Sequence, residues 1–231
     1  MNYNDYYKNH GGYKYGDYNE FTNIHKYLKS NFGLILGNLK DKNILDIGCG
    51  LGTFTSFCYM NGVQNYTGID LDNYSINFSK EKYPNYNFIH GDILNNKDIL
   101  NKYDIIFLSH VFEHIDLKDA EILSELIFRL LNKGGYWLNI MPNAGFIFSN
   151  YFRYGDITHK ILYTDNSFNQ ILLKSGFNIE NILHRNDILG QGFIKRIALN
   201  YIWKFFYKIF ILLIYPDIRI YTPTIISIIK K

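Results

Sequence analysis

The sequence predicts an α/β fold built on a doubly wound, mostly parallel sheet of seven strands. Short apolar runs typical of buried strands alternate with longer segments in which apolar residues recur every three or four positions, as in amphipathic helices. Strands linked through helices form right-handed βαβ units, so their carboxyl ends lie on one edge of the sheet. Ligands bind at that edge where the strand order reverses. We therefore expect a binding site there.

The elements follow one another in a regular order, with a glycine turn between the first strand and the helix after it. The predicted strands are residues 44–47, 66–70, 87–92, 103–108, 136–140, 177–184 and 224–229. The predicted helices are residues 20–36, 53–60, 119–132 and 165–176, with Thr164 as an N-cap and Gly134 and Gly176 as stop signals. Residues 143–163 form a connection of a length that is usually functional in a compact domain.

Composition and charge narrow the class of protein. A chain of 231 residues suits one domain with a full core. Its formal net charge of +3 is too small to indicate nucleic-acid binding. The N-terminal residues lack the apolar core of a signal peptide, and the two cysteines, Cys49 and Cys58, fit a reducing compartment without a disulfide or zinc site. We expect a cytoplasmic protein that binds no nucleic acid.

Residues 44–54, ILDIGCGLGTF, carry the strongest chemical signal. A strand, a glycine turn and a helix in succession present backbone N–H groups to a ligand. The dinucleotide fingerprint is G-x-G-x-x-G, whereas the spacing here is G-x-G-x-G, with Thr53 in the place of the third glycine. Asp46, just before the turn, is unsuited to a phosphate and favours a cationic ligand such as an ammonium or a sulfonium. Cys49 fits the turn as a small residue, with a nucleophilic role as the alternative.

This segment resembles motif I of the class I S-adenosylmethionine (SAM)-dependent methyltransferases. Two further strands ending in acids, residues 66–70 and 87–92, extend the resemblance. It implies a Rossmann-like sheet with an antiparallel last strand, SAM as cofactor and S-adenosylhomocysteine as product. In that family the first acid orients the site, the second binds the ribose hydroxyls and the third lies near the adenine amino group. The glycines border the amino-acid end of SAM. The implied cofactor-binding residues are Asp46, Gly48, Gly50, Gly52, Asp70, Leu71, Asp92, Ile93 and Ser109.

The fourth strand runs into the segment SHVFEH, residues 109–114. It resembles the V-x-E-H segment of many small-molecule methyltransferases, quinone-ring and sugar O-methyltransferases among them. His110 lies at the strand end where the methyl group should arrive, and histidine, with an ordinary pKa of about 6.5, suits a general base. His114 is a second candidate, and a core or supporting role is the alternative for both. Glu113 is expected to orient a neighbour or to cap a helix rather than to abstract a proton.

Residues 156–164, DITHKILYT, provide a third catalytic candidate. They resemble the D-x-T-H…T loop of bacterial methyltransferases that decorate surface glycans, so His159, oriented by Asp156, is expected to act as a base or a substrate ligand. Nearby cations are candidates for binding a phosphate on the acceptor or are solvated charges: Arg153, Lys160 and Arg185. The histidines show no spacing typical of zinc, so no metal is predicted.

Two segments have roles that the sequence leaves open. Residues 1–18 are rich in tyrosine and by resemblance close over SAM, with Tyr6, Tyr7, Tyr13 and Tyr15 as candidates. Residues 194–215 are strongly apolar, with a polar or charged residue at every fourth position between 196 and 208, which predicts a helix with a wide apolar face. Its uncharged run is too short to span a membrane. It lies on the inner face of a membrane or packs on its own domain or on a second copy.

These observations predict a SAM-dependent methyltransferase with a small-molecule acceptor. We expect an N-terminal cap segment and helix over 1–36 and a SAM-binding domain over 37–231, which contains a substrate loop, 143–163, and a helical insertion, 186–223. The D/N-P-P-Y/F turn of nucleic-acid amino methyltransferases is missing after the fourth strand. The favoured acceptor is an oxygen of a nucleotide-linked sugar or of a phosphorylated substituent in capsule or surface-polysaccharide biosynthesis. The alternatives are a quinone or lipid O-methyltransferase and a SAM-binding module without catalysis.

Overall fold

A mixed sheet of seven strands forms the centre of the molecule, in the order β3-β2-β1-β4-β5-β7-β6. The computed structural model describes residues 18–96, 99, 101–187, 205, 206, 209 and 219–231. The strands are β1 (Asn43–Ile47), β2 (Asn65–Asp70), β3 (Asn87–His90), β4 (Tyr103–Ser109), β5 (Leu131–Pro142), β6 (Ile182–Asn186) and β7 (Thr224–Lys230). The strand β7 pairs antiparallel with both β5 and β6, and the other pairs are parallel. The predicted fold class is confirmed.

The order of the strands reverses at β1, which lies between β2 and β4. Its last four residues are all buried, as expected for a strand that is covered on both faces. Asp46 of β1 is in register with Gly68 of β2 and Phe107 of β4. The carboxyl ends of the three strands therefore meet at one edge of the sheet, and a crevice opens there.

Helices cover both faces of the sheet. They are α1 (Tyr18–Leu36), α2 (Thr53–Met60), α3 (Asn73–Lys82), α4 (Leu117–Leu130), α5 (Ser149–Gly155) and α6 (Asp165–Lys174), with single 3₁₀ turns at Phe112–His114 and Ile179–Asn181. Alternate residues of β4 enter two separate cores: Ile106 and Leu108 pack with α4 and α6, whereas Ile105 and Phe107 pack with α1, α2 and α3. This two-sided burial explains the unbroken apolar character of the strand.

Several predicted boundaries are wrong around the fifth strand. The helix α4 ends at Leu130 rather than at residue 132, and β5 begins at once because Leu131 already pairs with Tyr103. Gly134 does not end the helix: it lies in an irregularity of β5 with φ of 77°, and its N–H donates to the carbonyl of Lys231. Pairing with a neighbouring strand thus decides a boundary that helix stop signals alone misplace.

Other segments differ from the sequence prediction in smaller ways. The third strand ends at His90, so Asp92 lies two residues beyond it. The sixth strand covers Ile182–Asn186 rather than 177–184, because a 3₁₀ turn capped by Asn178 precedes it. The long connection 143–163 contains the helix α5. Thr164 caps α6 as predicted, in a reciprocal pair of hydrogen bonds with Ser167, and the helix ends at Lys174, two residues before the stop signal Gly176.

The predicted insertion leaves and rejoins the sheet at one place. The side chain of Asn186 accepts the N–H groups of Tyr221 and Thr222 at 2.9 and 3.2 Å and donates to the carbonyl of Arg219 at 3.2 Å. The N–H of Asp187 donates to the hydroxyl of Thr222 at 3.0 Å. Asn186 belongs to β6 and residues 219–223 are not helical, and the extent of the predicted insertion, 186–223, stays a prediction.

Most of the predicted apolar helix, 194–215, lies outside the residues that the structure describes, as do residues 1–17 with their tyrosines. Within the insertion, Phe205, Phe206 and Ile209 are helical and exposed. Over the described ranges, no helix is both long enough and apolar enough to cross a membrane.

Candidate active site

A cavity of about 700 Å³ opens at the carboxyl ends of β1, β2 and β4. All three catalytic candidates, His110, His114 and His159, line it. So does every predicted cofactor-binding residue except one: Asp46, Gly48, Gly50, Asp70, Leu71, Asp92, Ile93 and Ser109. The exception, Gly52, is the N-cap of α2. Residues as far apart in the chain as Asp46 and His159, which are separated by 113 positions, thus lie at one site.

The glycine turn after β1 has a backbone that only glycine adopts readily. The φ angles of Gly48, Gly50 and Gly52 are 73°, 49° and 88°. The N–H groups of Gly48 and Cys49 donate to the carbonyl of Ile69 at 2.8 and 3.2 Å, which fixes the turn on β2. A Cβ on Gly48 would lie 2.4 Å from Cγ2 of Val111. The turn therefore touches the segment that carries the histidines.

Asp70 is held by the backbone on both of its oxygens. Its Oδ2 accepts the N–H of Gly50 at 2.8 Å and its Oδ1 accepts the N–H of Asp72 at 2.8 Å. Burial raises the pKa of Asp70 above its ordinary value, although these two hydrogen bonds act in the opposite direction. A carboxylate oxygen has more than one acceptor position, so the fixed group retains capacity for two neighbouring hydroxyls.

Asp46 is a buried carboxylate next to the glycine turn. The hydroxyl of Tyr66 donates to its Oδ2 at 2.6 Å, and Tyr66 in turn lies 2.7 Å from the hydroxyl of Thr55. Burial raises the pKa of Asp46 to about 7; the hydrogen bond from Tyr66 lowers it, and the charge of Asp70 raises it. Among the described residues, no lysine or arginine forms an ion pair with Asp46. A cationic ligand in the cavity would stabilise its charged form.

The rest of the cavity lining consists of predicted site residues near β3 and of residues from α1 that were not predicted to line it. Asp92 accepts the N–H of Leu94 at 3.0 Å and the side-chain amide of Asn95 at 2.7 Å, so its carboxylate is fixed by its own turn. Ile93 is buried and Leu71 is exposed at the rim. The helix α1 adds three residues that the sequence analysis did not assign to the site: Ile24, Tyr27 and Leu28.

His110 and Glu113 form a hydrogen-bonded pair at the end of β4. His110 Nδ1 lies 3.0 Å from Oε1 of Glu113, which is 1% exposed. Burial acts to lower the pKa of His110, but the hydrogen bond and the charge of Glu113 raise it above the ordinary value. Since 55% of the His110 side chain is exposed, solvent screens this effect.

The backbone of His110 is unusual as well. Among the residues that the structure describes, it is the only non-glycine with a positive φ, 56°. Strained residues of this kind concentrate at functional sites, and histidine tolerates the left-handed region better than most residues. The sequence signal, a histidine directly after a buried strand, identifies this residue but does not predict its positive φ.

His114 and His159 lie face to edge, with ring centroids 4.8 Å apart. His114 Nδ1 is 2.9 Å from the hydroxyl of Thr158, and His159 Nδ1 is 2.7 Å from the carbonyl of Phe152. Burial lowers the pKa of His114 more than the charge of Glu113 raises it. Asp156, predicted to orient His159, has its Oδ2 4.0 Å from His159 Nε2 and accepts the hydroxyl of Thr158 through Oδ1 at 2.6 Å.

The cysteines do not provide a nucleophile. Cys49 and Cys58 are both buried and unbonded to each other. Burial raises the pKa of each thiol well above its ordinary value, and the charge of Asp46 adds to this, so neither forms a thiolate readily. Cys49 therefore serves the turn as a small residue.

The family described as "Methyltransferase domain" matches residues 18–182. The chain belongs to this family. A malonyl-[acyl-carrier protein] O-methyltransferase of Ilyobacter polytropus is 30% identical over 123 residues, and the match covers 51% of this chain and 45% of that relative. The chain thus spans less than half the length of this methyltransferase relative. Among solved structures, a SAM-dependent methyltransferase from Archaeoglobus fulgidus has a TM-score of 0.66 at 21% identity, covering 93% of this chain and all of that one.

A TehB-like SAM-dependent methyltransferase from Corynebacterium glutamicum has a TM-score of 0.59 at 16% identity and covers 100% of this chain and 97% of its own. These likenesses confirm the fold that the sequence predicts. SAM is the cofactor that the methyltransferase family and fold imply. The cavity fits it, because a buried carboxylate without a cationic partner, Asp46, and a backbone-fixed carboxylate, Asp70, suit the charged and the hydroxyl-bearing parts of this molecule.

Proposed function

We propose that this protein transfers the methyl group of SAM to an oxygen of a small acceptor. The observation that carries the proposal is the division of one cavity into two ends: carboxylates and a glycine turn at the ends of β1–β3, and an imidazole–carboxylate pair at the end of β4. An enzyme of this kind has to bind two reactants side by side. Aligning them can supply roughly 7–11 kcal/mol of the barrier.

The residues at the SAM end bind and orient the cofactor. Asp46 faces the cationic amino-acid part, the fixed oxygens of Asp70 accept the ribose hydroxyls, and the turn around Asp92 borders the base. SAM supplies an electrophilic methyl group on a sulfonium. The narrow glycine turn, in contact with Val111, brings that group towards the end of β4.

At the acceptor end, His110 takes the proton of the acceptor hydroxyl. The carboxylate of Glu113 accepts Nδ1–H, which fixes the tautomer and leaves the lone pair on Nε2. A carboxylate behind an imidazole also stabilises the imidazolium that forms. A general base of this kind typically adds a factor of about 10²–10⁴ to the rate.

For the acceptor we favour a hydroxyl of a sugar, on the resemblance of residues 156–164 to loops of glycan methyltransferases. The described lining of the cavity contains no lysine or arginine. Lys160 instead pairs with Asp116 at 2.8 Å, and Arg185 donates to the carbonyl of Ser30 at 2.8 Å. A neutral hydroxyl at the reacting end therefore fits better than a phosphate. A nucleotide carrier, a role in surface-polysaccharide synthesis and a cytoplasmic location remain predictions.

An acceptor screen tests the proposal. Purified protein with SAM is offered nucleotide-linked sugars, simple glycosides, quinol precursors and malonyl thioesters, and S-adenosylhomocysteine release is measured together with the product mass. We expect turnover with sugars, and a mass increase of one methyl group on oxygen. Turnover confined to quinols or to malonyl thioesters would replace the sugar acceptor with that class. SAM binding without turnover of any compound, at every pH between 6 and 9, would support the non-catalytic alternative.

A further inference from the structure

We propose that Glu113, His114 and His159 bind a divalent transition-metal ion at the acceptor end of the cavity. One potential ligand atom of each residue lies within 4.8 Å of those of the other two. Glu113 and His114 come from the 3₁₀ turn after β4, and His159 comes from the loop before α6. All three residues line the cavity, so an ion held by them is open to a substrate.

The hydrogen bonds around the two histidines fix where their protons lie. The hydroxyl of Thr158 donates to Oδ1 of Asp156 at 2.6 Å, so it accepts the proton of His114 Nδ1 at 2.9 Å. His159 Nδ1 lies 2.7 Å from the carbonyl of Phe152, which only accepts. Both neutral imidazoles therefore carry Nδ1–H and keep a lone pair on Nε2. Metal-binding histidines are held in this way, with the other ring nitrogen donating to an oxygen.

Glu113 adds a second and independent observation. The residue is 1% exposed, and only Oε1 has a partner, the Nδ1 of His110. The Oε2 atom is buried, and no group of the described residues forms a hydrogen bond with it. Leaving a buried carboxylate oxygen unpaired costs free energy, and no lysine or arginine of the described cavity wall compensates for it. A cation among Oε2 and the two imidazoles satisfies all three groups at once.

Two imidazoles and one carboxylate are a ligand set for Zn²⁺, Mn²⁺, Fe²⁺ or Co²⁺ rather than for Ca²⁺. Three protein ligands leave coordination positions open, as in catalytic rather than structural sites. The role of the ion rests on the proposed function: it binds the acceptor oxygen, lowers the pKa of that hydroxyl and holds it beside His110, which takes the proton.

Metal binding is tested on the untagged protein of residues 1–231 after treatment with a chelator and in the absence of SAM and acceptor. Calorimetric titration with Zn²⁺, Mn²⁺ and Co²⁺ should give one ion per chain for at least one of them. The visible d–d spectrum of Co²⁺ should show nitrogen and oxygen ligands. We expect His114→Gln and His159→Gln to weaken binding at least tenfold, whereas His90→Asn, an exposed histidine outside the cavity, leaves it unchanged.

Two results would overturn the proposal: no saturable binding of any of these ions, or binding that persists unchanged in both cavity variants. Circular dichroism and thermal melting of each variant in chelator show whether it folds, and Glu113→Gln, nearly isosteric, serves as an additional variant. The two proposals fail separately. Methylation that continues undiminished in chelator would show that the ion has no part in the reaction and would leave the proposed function standing. Ion binding without turnover of any acceptor would contradict the proposed function and leave the metal site standing.

Discussion

The two ends of the cavity are built by different means. At the proposed SAM end, backbone groups fix Asp70, the last residue of β2, and the glycine turn after β1: Asp70 accepts two N–H donors, and the turn donates to the carbonyl of Ile69. At the acceptor end, side chains from separate segments hold one another, as in His114, Thr158 and Asp156. In the proposed function, cofactor binding therefore relies largely on backbone groups at the strand ends, whereas the arrangement of the acceptor end relies on contacts between side chains of separate segments.

The largest expected effect is at the acceptor end. Replacing His110 by Asn keeps a residue type that tolerates positive φ but removes the base, so we expect kcat to fall about 10²–10⁴-fold while SAM affinity changes little. Steady-state kinetics with the acceptor found in the screen, and calorimetry with SAM, measure the two quantities. His184→Asn, on β6 outside the cavity, is the matched control. Full turnover in His110→Asn would show that the base is another group.

At the SAM end, Asp70→Ala removes two charge-assisted hydrogen bonds to the ribose. Each such bond contributes about 1.5–3 kcal/mol, so the Kd for SAM should rise at least about a hundredfold. Calorimetric titration measures it, with the exposed Asp41→Ala as the control for loss of a carboxylate. An unchanged Kd would mean that the ribose lies elsewhere and that the two ends are assigned in the wrong way.

The junction between the two ends is the contact between Gly48 and Val111. A methyl group at Gly48 would be strained by the positive φ of 73° and would also lie 2.4 Å from Val111 Cγ2. We expect Gly48→Ala to lower the free energy of unfolding by about 2–4 kcal/mol. The control is Gly62→Ala, where φ is 71° but no atom lies within 4 Å, so only the backbone cost of about 1–2 kcal/mol should appear.

Urea denaturation of the two glycine variants separates the backbone cost of a positive φ from the steric clash with Val111. If Gly48→Ala and Gly62→Ala lose the same stability, the contact with Val111 contributes nothing. A second substitution, Val111→Ala, should restore part of the stability in the Gly48→Ala background only.

The smallest effect concerns pH and the charge of Asp46. Its pKa is about 7 in the free protein because of burial, and a cation bound beside it favours the charged form. Affinity for SAM should therefore be full above pH 8 and fall about tenfold between pH 8 and pH 6, as the carboxyl gains its proton. Asp46→Asn should lose this pH dependence. Because SAM titrates in the same way with both proteins, the difference between their two pH profiles reports the titration of Asp46 alone. Parallel pH profiles in both proteins would contradict the assignment.

The sequence predicted that most of the proposed SAM-binding residues would lie at one cavity, and they do. The spacing of the glycines and the acids at or just beyond the ends of β1, β2 and β3 are local features, and parallel strands bring their carboxyl ends together without further information. The start of β5 at Leu131 was missed because pairing with Tyr103 decided it. The expectation that no metal binds relied on histidine spacing along the chain, yet His114 and His159, 45 positions apart, meet only after the loop folds back.

Glu113 shows the same limit. Its pattern predicts an orienting or capping residue, and Glu113 Oε1 does lie 3.0 Å from His110 Nδ1, but nothing in the order of residues predicts a carboxylate oxygen that is buried without a donor among the described residues. A buried oxygen without a hydrogen-bond donor can be recognised only from the positions of the residues around it in the folded protein.

The bonds between Asn186, Asp187 and the segment 219–222 close off the stretch 188–218 at its base. These bonds fix the distance between the two points at which the chain enters and leaves that stretch. For a flexible chain between two fixed points, doubling the length changes the closure free energy by only about 0.6 kcal/mol. We therefore expect the pairing of β6 with β7 to tolerate changes of length between residues 188 and 218.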